Sequence, residues 1–130
     1  MILLDTHIWV WWVADEMRLT QTQLSEIEKN ESTGIGISII SCWEIALLVE
    51  KKRLGFAIPV KEWITEALKY PGVVPLDITV DIAVDSVQLP DGFHKDPADR
   101  IIVATARAYN CSLLTNDESI VTYPHVKVIT

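Results

Sequence analysis

No run of apolar residues in this 130-residue chain approaches the ~20 needed to cross a bilayer, so no membrane-spanning helix is expected. The first residues, Met1-Ile2-Leu3-Leu4-Asp5, carry neither a basic region nor small cleavage-type residues, and no signal peptide is expected. Cysteine is scarce. Cys42 and Cys111 fall within expected elements and not at loop staples, which fits reduced thiols and a cytoplasmic location. Internal repeats, low-complexity runs and interdomain linkers are absent as well. Positive charge is in deficit, with 11 Lys and Arg against 18 Asp and Glu and a net charge of -7. That balance argues against a protein that grips nucleic acid by phosphate neutralisation alone. It leaves room for a nucleic-acid enzyme, because acids gathered in one pocket raise the negative count as much as acids scattered over a surface.

What is present has the composition of a globular domain, 49% hydrophobic and 22% charged, and the length suits a single domain over residues 1–130. Ile2-Leu3-Leu4 is a short, wholly apolar run of the kind that forms a buried strand in a sheet covered on both faces. From His7 to about Ala14 the chain reads as a helix crowded with Trp9, Trp11 and Trp12. Three indoles in four positions cannot all face one core, so at least one is left partly exposed, as filler or as an interface anchor. Thr20-Gln21-Thr22-Gln23 has the form of a capping box for a helix to about Glu31. Ile35 to Ile40 reads as the second strand, and Ser41-Cys42-Trp43-Glu44 as the capping box of a helix closed by Lys51-Lys52-Arg53. Pro59 opens another helix, and Val73 to Leu76 forms a strand that Pro75 assigns to a sheet edge. A helix from about Thr79 to Val87 and a last strand from Val126 to Ile129 complete the alternation. Strands alternating with helices predict a doubly wound α/β fold with a mostly parallel sheet.

The residues that carry chemistry are acids. Asp96-Pro97-Ala98-Asp99 reads as a helix start, with Asp96 as cap, Pro97 at the first helical position and Asp99 at the third. That helix runs to about Asn110, the strand Ser112 to Thr115 follows, and Asp117 stands just past its end. Singly, each acid has a structural duty: Asp5, Asp96 and Asp117 as caps, Glu44 as the partner of Ser41. Together, Asp5, Glu44, Asp99 and Asp117 fall on the carboxyl edge of the sheet, the usual place for a site in an open α/β fold. Two such charges ~6 Å apart repel by about 3 kcal/mol at an effective dielectric of about 20. Convergence therefore calls for a cation. Oxygen donors without matching His or Cys favour Mg2+ or Mn2+ over Zn2+, and such an ion activates water for phosphodiester hydrolysis.

Four ordered motifs span essentially the whole chain: Ile2-Leu3-Leu4-Asp5-Thr6-His7; Ser41-x-Trp43-Glu44; Asp96-Pro97-Ala98-Asp99-Arg100 leading into Ala104-x-Ala106; and Leu114-Thr115-Asn116-Asp117. The set closely resembles PIN-domain ribonucleases, and among them the VapC-like toxins of toxin–antitoxin pairs. The resemblance implies a three-layer α/β/α sandwich with the first strand central in a sheet of four or five, and Mg2+- or Mn2+-dependent endonucleolytic cleavage of RNA. It implies a catalytic quartet of Asp5, Glu44, Asp99 and Asp117. Asp5, Asp99 and Asp117 are then the metal ligands, and Glu44 binds through water or orients the attacking water. Thr6, Ser41, Thr115 and Asn116 become the hydroxyl and amide groups that hold the carboxylates, with Asp96 a fifth acid for which capping is a sufficient role. Lys95 and Arg100 lead the candidates for guiding RNA, ahead of Lys51, Lys52, Arg53 and Arg107, for all of which solvation or helix-end placement is the plainer account. The partners implied are an RNA substrate, a small VapB-like antitoxin with an apolar helix and a basic tip, and a second copy in a homodimer. A non-cutting PIN-like module that binds RNA or protein is the competing reading. A receiver domain would want paired acids on the first strand, and a haloacid-dehalogenase-like phosphatase would want an aspartate where His7 stands.

Overall fold

The apolar run at the start of the chain is the spine of the fold. In the computed structural model, which describes residues 1–93 and 96–130, Ile2–Leu4 (β1) is buried along its whole length at the centre of a five-stranded sheet. Its neighbours are Ile35–Ser38 (β2) and Ser112–Leu114 (β4), with Val73–Leu76 (β3) and Val128–Ile129 (β5) at the two edges. Each of the four strand pairings is parallel. Alternation along the strands sorts the side chains. Ile2, Leu4 and Leu114 face one core with Trp9, Ile27 and Ile45, while Leu3 and Leu113 face another with Ile82, Ile102 and Ile120. Helices Thr6–Ala14 (α1), Gln21–Lys29 (α2) and Val60–Ala67 (α4) cover the first face, joined by Ile45 of Ile39–Glu50 (α3). Val80–Val87 (α5), Pro97–Ala108 (α6) and Glu118–Val121 (α7) cover the second. The result is the expected three-layer α/β/α sandwich, and Pro75, which has no N–H to donate to a further strand, lies on edge strand β3.

Chain order positions the site. The chain steps outward from β1 to β2 and β3, then returns to the other side of β1 for β4 and β5. That reversal opens a crevice outside the carboxyl ends of the central strands. Gly36 on β2 keeps the sheet tight there, since a Cβ would sit 2.8 Å from Leu76 Cδ1 and 3.2 Å from the Ile2 carbonyl oxygen.

Thr20 and Gln23 form the expected capping box, each side chain taking the other's backbone N–H at 3.1 and 3.0 Å. The expected box at Ser41 and Glu44 does not form. β2 ends at Ser38, not Ile40, and Ser38 Oγ accepts the Ile40 amide at 3.2 Å to cap α3. A serine cap is worth about 1 kcal/mol, enough to offset a helix-propensity deficit of about 0.5 kcal/mol for each of Ile39 and Ile40, which are drawn into the helix. Ser41 and Glu44 then lie within its first two turns and are released from capping duty. Other ends differ slightly: α2 stops at Lys29, α6 at Ala108 and β4 at Leu114, and β5 begins at Val128. No helix among the described residues is long and apolar enough to cross a membrane.

Candidate metal centre

Leu4 pairs with Leu114 in register, so the residues that follow, Asp5 and Thr115, meet at the carboxyl ends of adjacent strands. Thr115 Oγ1 donates to Asp5 Oδ2 at 2.6 Å, and the Thr6 amide donates to Asp5 Oδ1 at 2.8 Å. The same threonine oxygen accepts the Asp117 amide at 3.0 Å, so one fully buried hydroxyl sets the position of two aspartates. Asp117 caps α7, its Oδ1 accepting from the Ser119 amide at 3.0 Å and hydroxyl at 2.7 Å. On the other side, Thr6 Oγ1 lies 2.9 Å from Ser41 Oγ, a buried hydroxyl pair that ties α1 to α3. Asp96 Oδ1 accepts the Asp99 amide at 3.0 Å with Pro97 at the first helical position, as the sequence spacing predicts.

These local arrangements bring Asp5, Glu44, Asp96, Asp99 and Asp117 to the wall of one cavity of about 320 Å³, which His7 and Arg53 also line. One carboxylate oxygen each from Glu44, Asp96 and Asp99 lie within 4.8 Å of one another. This group contains Asp96, the acid for which the sequence makes capping a sufficient role. Asp5 and Asp117 face the same space from β1 and β4. The electrostatic cost is written on Asp99, only 8% exposed. Burial first, then the charges of Asp5, Asp96, Glu44 and Asp117, lift its carboxyl from 3.8 to about 7. Burial likewise raises Glu44, opposed by a hydrogen bond with Thr6 and reinforced by Asp5, Asp96 and Asp117. Hard oxygen donors in a partly dry pocket, destabilised by one another, fit a small divalent cation.

The profile of the PIN domain family matches residues 2–126. The chain belongs to the PIN domain family. Over 129 residues it is 35% identical to Ribonuclease VapC22 of Mycobacterium tuberculosis, covering 99% of this chain and 96% of that one. Among solved structures, VapBC2 from Rickettsia felis bound to a DNA fragment from their promoter superposes with a TM-score of 0.74 at 20% identity, covering 99% of this chain and 98% of the other. DNA-bound VapBC from Salmonella typhimurium gives 0.72 at 18% identity over the same shares of the two chains. At those identities the structures establish the fold.

Other residues of this PIN domain are placed as follows. Asn116 does not reach the acids directly. Its Oδ1 accepts from Gln23 Nε2 at 2.8 Å, and its N–H donates to His7 Nε2 at 3.2 Å. His7 Nδ1 in turn lies 3.5 Å from Asp5 Oδ2. With Nε2 accepting, the proton sits on Nδ1, on the side of the carboxylate. Gln23 and His7 thus support the site, although Gln23 reads in the sequence only as a capping residue and His7 as the last residue of the first motif with no role assigned to it. Asn116, the partner through which Gln23 meets the site, lies 93 residues away, a separation that leaves no local signal. Arg100 Nη1 donates to the Ser86 carbonyl of α5 at 3.2 Å, and the side chain is not part of the cavity wall. Arg53 is on that wall, delivered by the basic end of α3. Lys95 and His94 lie outside the described residues.

Proposed function

We propose that this PIN domain is a metal-dependent endoribonuclease that acts as the toxin of a toxin–antitoxin pair. The convergence of five carboxylates on one cavity at the carboxyl edge of the sheet carries the reading. The ribonuclease name of a relative 35% identical over nearly the full chain supports RNA as the substrate. VapBC complexes among the structural neighbours support a VapB-like antitoxin as the partner. A cytoplasmic homodimer, each copy held by antitoxin, completes the proposal.

Asp5, Asp99 and Asp117 are assigned as ligands of Mg2+ or Mn2+, with Asp96 as an additional carboxylate beside them. When bound, the ion lowers the pKa of a coordinated water and offsets charge developing on the phosphate. Glu44, its proton affinity raised by burial, takes a proton from the attacking water at its carboxylate. Thr115 and the Thr6 amide hold Asp5 in one orientation, Ser41 steadies Thr6, and Asn116 steadies His7 against Asp5. Arg53, on the cavity wall, joins Lys95 in drawing the RNA backbone inward, while Arg100 is turned toward α5 and is not assigned that role.

The test is cleavage of total cellular RNA by purified protein freed of antitoxin, with Mg2+, Mn2+ or EDTA, and with Asp99→Asn alongside. Discrete fragments that require metal and vanish in the variant are expected. No cleavage under any condition, from a folded protein that binds metal, refutes the proposal and leaves a PIN domain that binds RNA or protein without cutting.

A further inference from the structure

Four of the five tryptophans are accounted for by their neighbours. The rings of Trp9 and Trp63 are 5.8 Å apart, and Phe56 stacks on Trp63 at 4.1 Å. Trp12 meets Tyr70 edge-on at 5.2 Å. Trp11 packs edge-on to His7 at 4.9 Å, with the Arg18 guanidinium 4.6 Å over its face. Trp43 differs. Among the described residues no ring stacks on it and no cation covers it, and 54% of its surface is exposed.

Its position gives that exposure a meaning. Trp43 precedes Glu44 on α3 and opens a hollow of about 270 Å³ lined by Leu47, Lys51, Pro97 and Ala98. The hollow shares Glu44, Arg53 and Asp96 with the acid cavity, so the two adjoin. The hollow therefore joins a flat aromatic face to two exposed cations, Lys51 and Arg53, beside the carboxylates. An unstacked RNA base finds its partner on such a face, while its flanking phosphates find theirs on the cations. A protein partner would satisfy the indole equally well, but it would gain nothing from a place beside a hydrolytic centre.

We propose that Trp43 is the stacking platform for one base next to the cleaved phosphodiester, with Lys51 and Arg53 taking the phosphates on either side. The inference rests on the ribonuclease reading and adds a subsite to it. Because a stack reads ring area and not base edges, the subsite favours purines over pyrimidines without specifying one base.

The experiment uses the full chain carrying Asp99→Asn, so that RNA is bound and not cut. Its probe is a fluorescein-labelled single-stranded RNA spanning a mapped cleavage site, and copies of it with one abasic residue at each position in turn. Fluorescence anisotropy is expected to show that adding Trp43→Ala weakens binding roughly 5- to 150-fold, the range set by loss of one stack. Trp43→Phe, which keeps a stacking face, should retain most of the affinity. One abasic position should cost the Trp43 protein the same factor and cost the Ala variant nothing, a coupling that a merely structural role would not produce. Melting temperatures of the three proteins should agree, since the side chain is exposed. Equal affinity of the Ala and Trp proteins, or equal abasic losses in both, overturns the subsite. Unchanged RNA binding with lost antitoxin binding also overturns it and assigns the face to the protein partner. If the Asp99→Asn protein binds none of the RNAs, and the native chain cuts none, the ribonuclease reading itself fails.

Discussion

Removing the charge of Asp99 should stabilise the metal-free protein, and should do so at neutral pH more than at acid pH. The carboxyl stands near 3.8 in an unfolded chain and at about 7 in the fold. Between those values the folded state holds more protons than the unfolded state, so stability falls as pH rises, and above about 7 the full cost is present. At about 1.4 kcal/mol per pH unit the gap amounts to about 4 kcal/mol. Water at the cavity mouth screens the group, and about half of that, 2 kcal/mol, is the working figure. Asparagine in the first turn of α6 forfeits a favourable charge–dipole interaction of about 0.5 kcal/mol, which leaves a net gain of roughly 1.5 kcal/mol. For a domain of this size that corresponds to a melting temperature higher by about 5 °C. Thermal unfolding followed by circular dichroism in EDTA, from about pH 5 to pH 8, reads the effect directly. The native chain should melt progressively lower as pH rises, Asp99→Asn should fall less steeply because the raised carboxyl of Glu44 remains, and the two should converge toward acid pH. Excess Mg2+ should restore the native chain at high pH and leave the variant almost unmoved. Parallel pH profiles for the two proteins would refute the reasoning, because the penalty would then lie elsewhere than on Asp99.

Three further outcomes follow from the same geometry. Glu44→Gln should lower RNA cleavage by a factor of about 100 or more with an unchanged or higher melting temperature, since Glu44 caps no helix; an unfolded variant with full activity per folded molecule would make its role structural. Thr115→Val keeps the shape but deletes the donor to Asp5 and the acceptor for the Asp117 amide. It should cost about 2 kcal/mol in denaturant unfolding and weaken Mn2+ binding in calorimetry, and an unchanged metal affinity would contradict the role given to that hydroxyl. Gly72→Ala should cost at least 2 kcal/mol in the same unfolding assay, because φ is +85° and a Cβ would meet the Glu31 carbonyl oxygen at 2.5 Å; Gly55→Ala, with open space around it, should fall within about 0.5 kcal/mol.

The parts of the fold legible in the sequence are those whose chemistry is local. Thr20 with Gln23, and Asp96 with Pro97 and Asp99, each act over three residues, and both starts are where the spacing places them. The Ser41-x-x-Glu44 pattern misleads for the same reason: it describes a capping box equally well as two residues inside a helix, and Ser38 three positions earlier is the cap. Asp96 was ambiguous because one carboxylate can both cap a helix and face a cavity, and only the fold shows that it does both. What remained illegible depends on contacts across the chain. Thr115 and Asp5 are 110 residues apart, and Asn116 and Gln23 are 93 apart. Side chains brought together by strand register leave no spacing to read. The crowding of Trp9, Trp11 and Trp12 requires that at least one be partly exposed, and Trp11 and Trp12 are; that Trp43 is more exposed than either is shown only by packing.

The most direct test of the central claim, that these acids hold a divalent cation, is a crystal of the antitoxin-free protein soaked in Mn2+ and measured for anomalous scattering. The account predicts a peak inside the cavity bounded by Asp5, Glu44, Asp96, Asp99 and Asp117, within ligand distance of at least two of these carboxylates, and its loss in Asp99→Asn. A cavity without anomalous density at full soak, or Mn2+ bound only elsewhere on the surface, would contradict it.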